Sequence, residues 1–312
     1  MMESWPSLDY AADKGSYESC HFALQLIGKL PTRLVPWINH GWHLSLQVTP
    51  RGYATDMLPG GSARSFHVSL DVIDMAIRVT CASGRQWDVA LAGKTIADLH
   101  RDLKAALEEA GHPAPLYGAP NEMAERIPFA EDNRPREWDG DALCRLHGAF
   151  TCADRVFNRF RSLYFGKTSP SHLFWGSFDL AITRFSGREA PTHPGGIPNL
   201  PDYVTREAYS HEVISAGLWP GGGGVDEAAF YAYAYPAPDG LRDQAISPDA
   251  AWWHSDLGEW VLTYADVASA DDPDALLMAF LQSTYDAAAK ALDWPEGLTA
   301  PEPVVGRPAR IV

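Results

Sequence analysis

The feature that most constrains this chain is that its sequence repeats. An apolar helical run over residues 17–27 ends at Gly28-Lys29, and an alternating segment follows at Gly41-Trp42-His43-Leu44-Ser45-Leu46-Gln47-Val48-Thr49. The same order returns later: a helical run over 142–165 ends at Gly166-Lys167, and Ser177-Phe178-Asp179-Leu180-Ala181-Ile182-Thr183 alternates. Both runs carry Gly where a helix C-terminus takes a left-handed residue. Downstream, Ser65-Phe66-His67-Val68-Ser69-Leu70-Asp71-Val72 matches Ala229-Phe230-Tyr231-Ala232-Tyr233-Ala234-Tyr235. A hairpin follows in each copy, turning at Ser83-Gly84 in the first and at Leu257-Gly258 in the second. Each copy then closes with a helix. The first is capped by Thr95 with Asp98 three residues on; the second has Asp272 at the cap and Pro273 at the first helical position.

The pattern predicts an α+β protein of two tandem related units. Each is an antiparallel sheet of about 4–5 strands flanked by two helices on one face, leaving the other face open. The first unit spans 1–115, a Pro-rich connection 116–140, and the second unit 141–294 with an inserted loop at 188–224; residues 295–312 read as a loosely ordered tail.

Charge and composition narrow the function. With 40 acidic against 25 basic residues, the formal net charge of -15 opposes association with nucleic acid or anionic lipid. Neither a signal segment nor an apolar stretch of membrane-spanning length is present, so the expectation is a soluble, cytoplasmic protein. Four scattered cysteines in 312 residues read as buried thiols.

Strand alternation assigns the open face. In the first copy Trp42, Leu44, Leu46 and Val48 face the core, and His43, Ser45, Gln47 and Thr49 face away. In the second, Phe178, Leu180 and Ile182 face the core, which turns Trp175, Ser177, Asp179 and Thr183 outward, beside Tyr231, Tyr233 and Tyr235. An open face with three tyrosines, a tryptophan and a carboxylate fits either aromatic packing under a loop or an aromatic-walled pocket with Asp179 orienting a ligand.

Familiar motifs fail on their own terms. Gly166-Lys167-Thr168 lacks the first glycine of a phosphate loop and follows a helix, where a strand is required. His211-Glu212 begins like a zinc-protease helix but Ser215 stands where the second histidine belongs, and Ser177 has no glycine two residues on. What remains is a constellation in the second unit. His211, Glu212 and Asp179 are the candidate acid–base groups; Trp175, Arg184, Arg188, Tyr231, Tyr233 and Trp219 are the candidate substrate contacts; His193 and His211 are the candidate ligands of a divalent metal.

The phrases Asn39-His40-Gly41-Trp42-His43, Phe165-Gly166-Lys167-Thr168-Ser169-Pro170, Trp175-Gly176-Ser177-Phe178-Asp179, Thr183-Arg184-Phe185-Ser186-Gly187-Arg188, and the stretch from Ser210-His211-Glu212 to Trp219-Pro220-Gly221-Gly222 resemble an uncharacterised bacterial family catalogued as a domain of unknown function. The resemblance implies a bacterial protein and carries no activity, cofactor or site residue. Three functions stay open: an enzyme for a small carboxylate-bearing or aromatic molecule; a non-catalytic module binding such a ligand; or an interaction protein, including a homo-oligomer, that buries the aromatic face.

Overall fold

The computed structural model describes residues 4–60, 64–114, 116, 118–123, 126–222 and 225–299. Among the described residues seven helices run in chain order: α1 Tyr10–Gly28, α2 Pro31–Leu34, α3 Ile96–Glu109, α4 Gly140–Ser162, α5 Asp202–Ala208, α6 Tyr264–Ala268 and α7 Pro273–Ala291. The strands are β1 Gln47–Thr49, β2 Gly52–Ala54, β3 Phe66–Asp71, β4 Ala76–Cys81, β5 Gln86–Ala90, β6 His172–Phe174, β7 Asp179–Glu189, β8 His211–Trp219, β9 Ala229–Tyr235, β10 Trp252–His254 and β11 Glu259–Thr263.

The helix starts follow the chain's own signals. Thr95 and Asp98 form a reciprocal capping box on α3, and Asp272 caps α7 through the Ala275 amide with Pro273 at its first position. Ile96, Leu99, Leu103 and Leu107 make one buried stripe along α3. In contrast α1 is buried almost all round through its second half, because it packs between α3 and α4 as well as on β3.

The strands form two antiparallel sheets, of order β1-β2-β3-β4-β5 and β10-β11-β9-β8-β7-β6. They meet edge to edge where Leu46 and Leu173 exchange both backbone hydrogen bonds, at 2.9 and 2.8 Å. The helices line up on one side as α3, α1, α4 and α7, and one continuous hydrophobic core fills the space beneath both sheets. The tandem α+β organisation is therefore present, with the two halves sharing one interior.

The copies diverge from the simple repeat in three places. Residues 39–44 form two 3-10 turns kinked at His40 (φ 61°) and Gly41 (φ 70°), so the strand expected from Gly41 starts only at Gln47, and His43 and Ser45 are buried. In the second half β11, not β10, pairs with β9, because residues 236–251 carry the chain to the sheet's outer edge before it returns. The insertion at 188–224 is mostly regular structure: β7 runs to Glu189, α5 occupies 202–208 and β8 starts at His211. Its Gly223 and Gly224 lie outside the described residues.

Neither repeated glycine closes its helix on a left-handed residue, and Gly28 serves close packing instead. A Cβ on Gly28 would overlap the Trp175 indole, and one on Gly166 would overlap the Tyr164 ring. Of the expected tail, residues from 300 onward lie outside the described residues, while Leu298 accepts a hydrogen bond from the Phe165 amide at 2.8 Å.

Candidate functional site

On the second sheet, the face turned away from the helices carries Asp179, Thr183 and Phe185 from β7, Ser215 from β8, and Tyr231 and Tyr233 from β9. These residues floor a cavity of about 570 Å³. The segment 190–210, including α5, covers it. That cover is fastened by the Tyr209 and Tyr233 hydroxyls at 2.7 Å and by Tyr235 Oη donating to the Pro191 carbonyl at 2.9 Å. Part of the wall comes from outside the second unit. The end of α1 supplies Lys29, the 3-10 turns supply His40 and Trp42, and the connection supplies Asn121, Glu122 and Arg126.

Asp179 begins β7 just after Phe178, which takes φ 63°, and its carboxylate accepts hydrogen bonds from Ser177 Oγ and Tyr231 Oη. Burial pushes its pKa up, against those two hydrogen bonds. Gly217 makes room for this pair, since a Cβ there would overlap the Tyr231 ring.

Glu122 is the second carboxyl. It too has a left-handed backbone (φ 58°), and its side chain lies directly over Gly176, where a Cβ would overlap Oε1. Burial, reinforced by the charge of Asp179, raises its pKa to about 7, with Lys29 acting in the opposite direction. Glu259, paired across the strand from His254, is likewise raised to about 7 by burial and by Asp179. His40, Glu122 and Phe178 are strained non-glycine residues on or beside this cavity, as is Asn199, whose side chain donates to the Met123 carbonyl at 2.8 Å.

Lys29 lies between the Trp175 and Phe129 rings, 5.1 and 5.9 Å from their centroids, and Nζ donates to Asn121 Oδ1. Burial lowers its pKa to about 8, and the nearby Arg126 and Arg33 push the same way, while Glu122 opposes. Arg33, Arg126 and Lys29 thus form a cationic group at the mouth of a cavity in an otherwise acidic chain.

The imidazoles of His40, His43 and His172 complete the walls. His40 accepts a hydrogen bond from Lys167 Nζ at Nε2 (2.6 Å) and, as the tautomer protonated at Nδ1, donates to the Ala208 carbonyl (3.3 Å). Burial and then Lys167 lower its pKa, which fits this neutral form. His172 on β6 is buried, has no hydrogen-bond partner at either ring nitrogen among the described residues, and is depressed to about 3, chiefly by burial.

Of the residues expected from sequence, the structure brings Asp179, Trp175, Tyr231 and Tyr233 together on the cavity. It places the others elsewhere. Arg184 has the opposite strand parity and points to the helices: its guanidinium stacks 3.4 Å from the Phe160 centroid, near Tyr164 and Tyr285, and donates to the Phe160 carbonyl at 2.6 Å. Arg188 donates to the carbonyls of Leu292 and Asp293 at the end of α7, and also binds Glu212 at 2.9 Å. Glu212 is therefore committed to Arg188 and Ser186. Trp219 packs with Val225, Ala229 and Val261. His193 stacks on Tyr209, whereas His211 packs edge-on to His40 and bonds Ser210. Among the described residues no group of three or more His, Cys, Asp or Glu side chains gathers to hold a metal ion.

Lys29 and Glu122 escaped the sequence reading. For Lys29 a signal existed: the Gly-Lys pair that ends the helical run in both copies delivers Lys29 to the cavity wall and Lys167 to His40 behind it.

A family model described as "Family of unknown function (DUF5996)" matches residues 5–300. No curated protein and no solved structure matches the chain. No helix among the described residues is long and apolar enough to cross a membrane.

Proposed function

We propose that this chain, which belongs to the DUF5996 family of unknown function, is an enzyme that binds a small carboxylate-bearing molecule in the covered cavity and transfers protons on it through Asp179 and Glu122. The observation that carries the reading is the pairing of opposites in one cavity. Two carboxyls with raised pKa values sit on the floor and wall, and the cations Lys29, Arg33 and Arg126 stand at the mouth. A carboxyl with a pKa near 7 is poised to give and take a proton at neutral pH, as general acid–base work requires. The aromatic walls suit the apolar body of a ligand, and arginine suits its carboxylate.

Asp179 stays an acid–base group, and Glu122 takes the place of His211 and Glu212, because the Glu212 carboxylate already serves Arg188 and His211 packs against His40. We place the protein in the cytoplasm of a bacterium, where the free thiols of Cys20, Cys81, Cys144 and Cys152 would stay reduced.

The test is solvent-deuterium incorporation into a panel of short oxo and hydroxy acids, followed by NMR. Incorporation by the wild type that is lost in Asp179→Asn and Glu122→Gln supports the enzyme. Saturable binding with no incorporation into any member leaves the non-catalytic module, and absence of binding overturns both. A homo-oligomer stays a separate proposal, favoured by the exposed Trp37 and Tyr203 at the cavity and the exposed Ile38 next to Trp37, and checked by light scattering.

A further inference from the structure

Resting on the reading of this cavity as an active site, we infer that Lys29 is its nucleophile and that the substrates are 2-oxo acids, whose carbonyl carbon Lys29 attacks to form a Schiff base while Arg33 and Arg126 hold the carboxylate. Four observations converge on this residue. Lys29 leaves the rigid end of α1 and enters the cavity. Its Nζ spends one N–H on Asn121 and forms no ion pair among the described residues, so the amine is positioned without being neutralised by a carboxylate. The Trp175 and Phe129 rings flank Nζ, with centroids 5.1 and 5.9 Å away. Arg33 and Arg126 line the same cavity, and they also have no ion pair among the described residues.

This is the environment in which lysine becomes an amine nucleophile: desolvation and neighbouring cations both disfavour the ammonium form. With the Lys29 pKa at about 8, the free-amine fraction near that pH exceeds that of an ordinary lysine by roughly a hundredfold. The same arginines that repel the ammonium attract the substrate's carboxylate, which sets the adjacent carbonyl beside Nζ.

The chemistry balances within the residues present. The Nζ lone pair forms the C–N bond as the carbonyl π pair moves to oxygen, and one proton passes from nitrogen to that oxygen, giving a carbinolamine. The Glu122 carboxyl donates a proton to the departing hydroxyl, which leaves as water, and the proton lost from nitrogen returns to Glu122. One amine and one carbonyl become one C=N bond and one water, with no change of oxidation state. Asp179, held by Tyr231 and Ser177, is then the group to exchange a proton on the carbon next to the imine. His172, buried with two unpartnered nitrogens on the same cavity, offers a hydrogen bond to the substrate.

The experiment is reductive trapping of the full chain with cyanoborohydride and either pyruvate or phenylpyruvate near pH 8, read by peptide mass spectrometry. The chain has only six lysines, so each can be scored separately. The expected result is one reduced adduct per chain on Lys29, with at least a tenfold excess over Lys14, Lys104 and Lys290, and none in a folded Lys29→Met variant. Even labelling across the lysines, or none on Lys29 with either acid, overturns the inference. Lactate and phenyllactate, which lack the carbonyl, separate the two readings. If they bind in an Arg126-dependent manner while Lys29 stays unlabelled, the nucleophile falls and the acid–base site stands; if they too fail to bind, both fall.

Discussion

Gln25 and Asn121 grip each other reciprocally: the Asn121 amide donates to Gln25 Oε1 at 3.0 Å, and Gln25 Nε2 donates to the Asn121 carbonyl at 2.8 Å. A fully buried glutamine on α1 thus does for the connection what a strand neighbour would do, and the next residue, Glu122, is set over Gly176 as a result. Gln25 Nε2 also reaches the Gly176 carbonyl at 3.1 Å, which ties the turn before β7 to the same side chain. Gln25→Leu should cost about 1–3 kcal/mol by leaving buried polar groups unpaired. Urea denaturation reads the cost, and hydrogen exchange should accelerate selectively at residues 118–123.

Gly28→Ala should destabilise the fold by about 1–3 kcal/mol, because the new methyl meets the Trp175 indole. Trp175 is fixed from its other end by Nε1 donating to the Leu44 carbonyl at 2.6 Å, so it has little freedom to retreat. In a double-mutant cycle with Trp175→Ala, the two losses should fall short of additivity by more than ~0.5 kcal/mol. Simple additivity would mean that the methyl is accommodated by some other movement.

Glu122 should make stability depend on pH in a direction that identifies it. Folding raises its pKa from 4.5 to about 7, so the folded chain keeps a proton that the unfolded chain releases between those values. Its contribution is therefore least unfavourable below 4.5 and becomes steadily more unfavourable until pH passes 7. Glu122→Gln, which copies the protonated form, should raise the melting temperature at pH 8 and leave it nearly unchanged at pH 4.5, with a gain of at most about 3 kcal/mol. His21 and His172, held neutral by burial, act in the opposite sense as pH falls below 6.5, and they cancel in the difference between the two proteins.

Arg184→Met should shift stability by no more than about 1 kcal/mol, in either direction, since a desolvated guanidinium with no ion pair among the described residues is replaced by an apolar chain of similar length. Ligand binding should be unchanged, because the residue lies on the opposite side of the sheet from the cavity. A loss of binding in this variant would contradict the assigned sheet faces.

Period and punctuation made the elements legible. The Thr95 box, the Asp272-Pro273 start and the alternation through Phe178, Leu180 and Ile182 each depend on neighbours a few residues away, and each is found. Asp179, Tyr231 and Tyr233 could be placed on one face because strand parity is local information. Arg184 was a misjudged substrate contact for a related reason: its one-residue offset from Thr183 puts it in the core, and parity already said so. Glu122 was out of reach, since its position follows from Gln25, nearly a hundred residues away, and from a left-handed backbone that no motif announces. His40 is similar. The Gly41 stretch alternates like a strand, yet Ile38 donates to His43 Nδ1 at 3.2 Å and the chain curls into turns.

The exchange of hydrogen bonds between Leu46 and Leu173 has a kinetic consequence. The two residues belong to different halves of the chain, so their pairing requires closing a long loop, a step that is slow and entropically costly compared with forming either meander. Each half can build its sheet and helices from nearby contacts, but the cavity needs Lys29 and His40 from before the seam and Asp179 from after it. The proposed activity should therefore return after dilution from denaturant later than helical circular dichroism does, with a lag set by docking of the two edges.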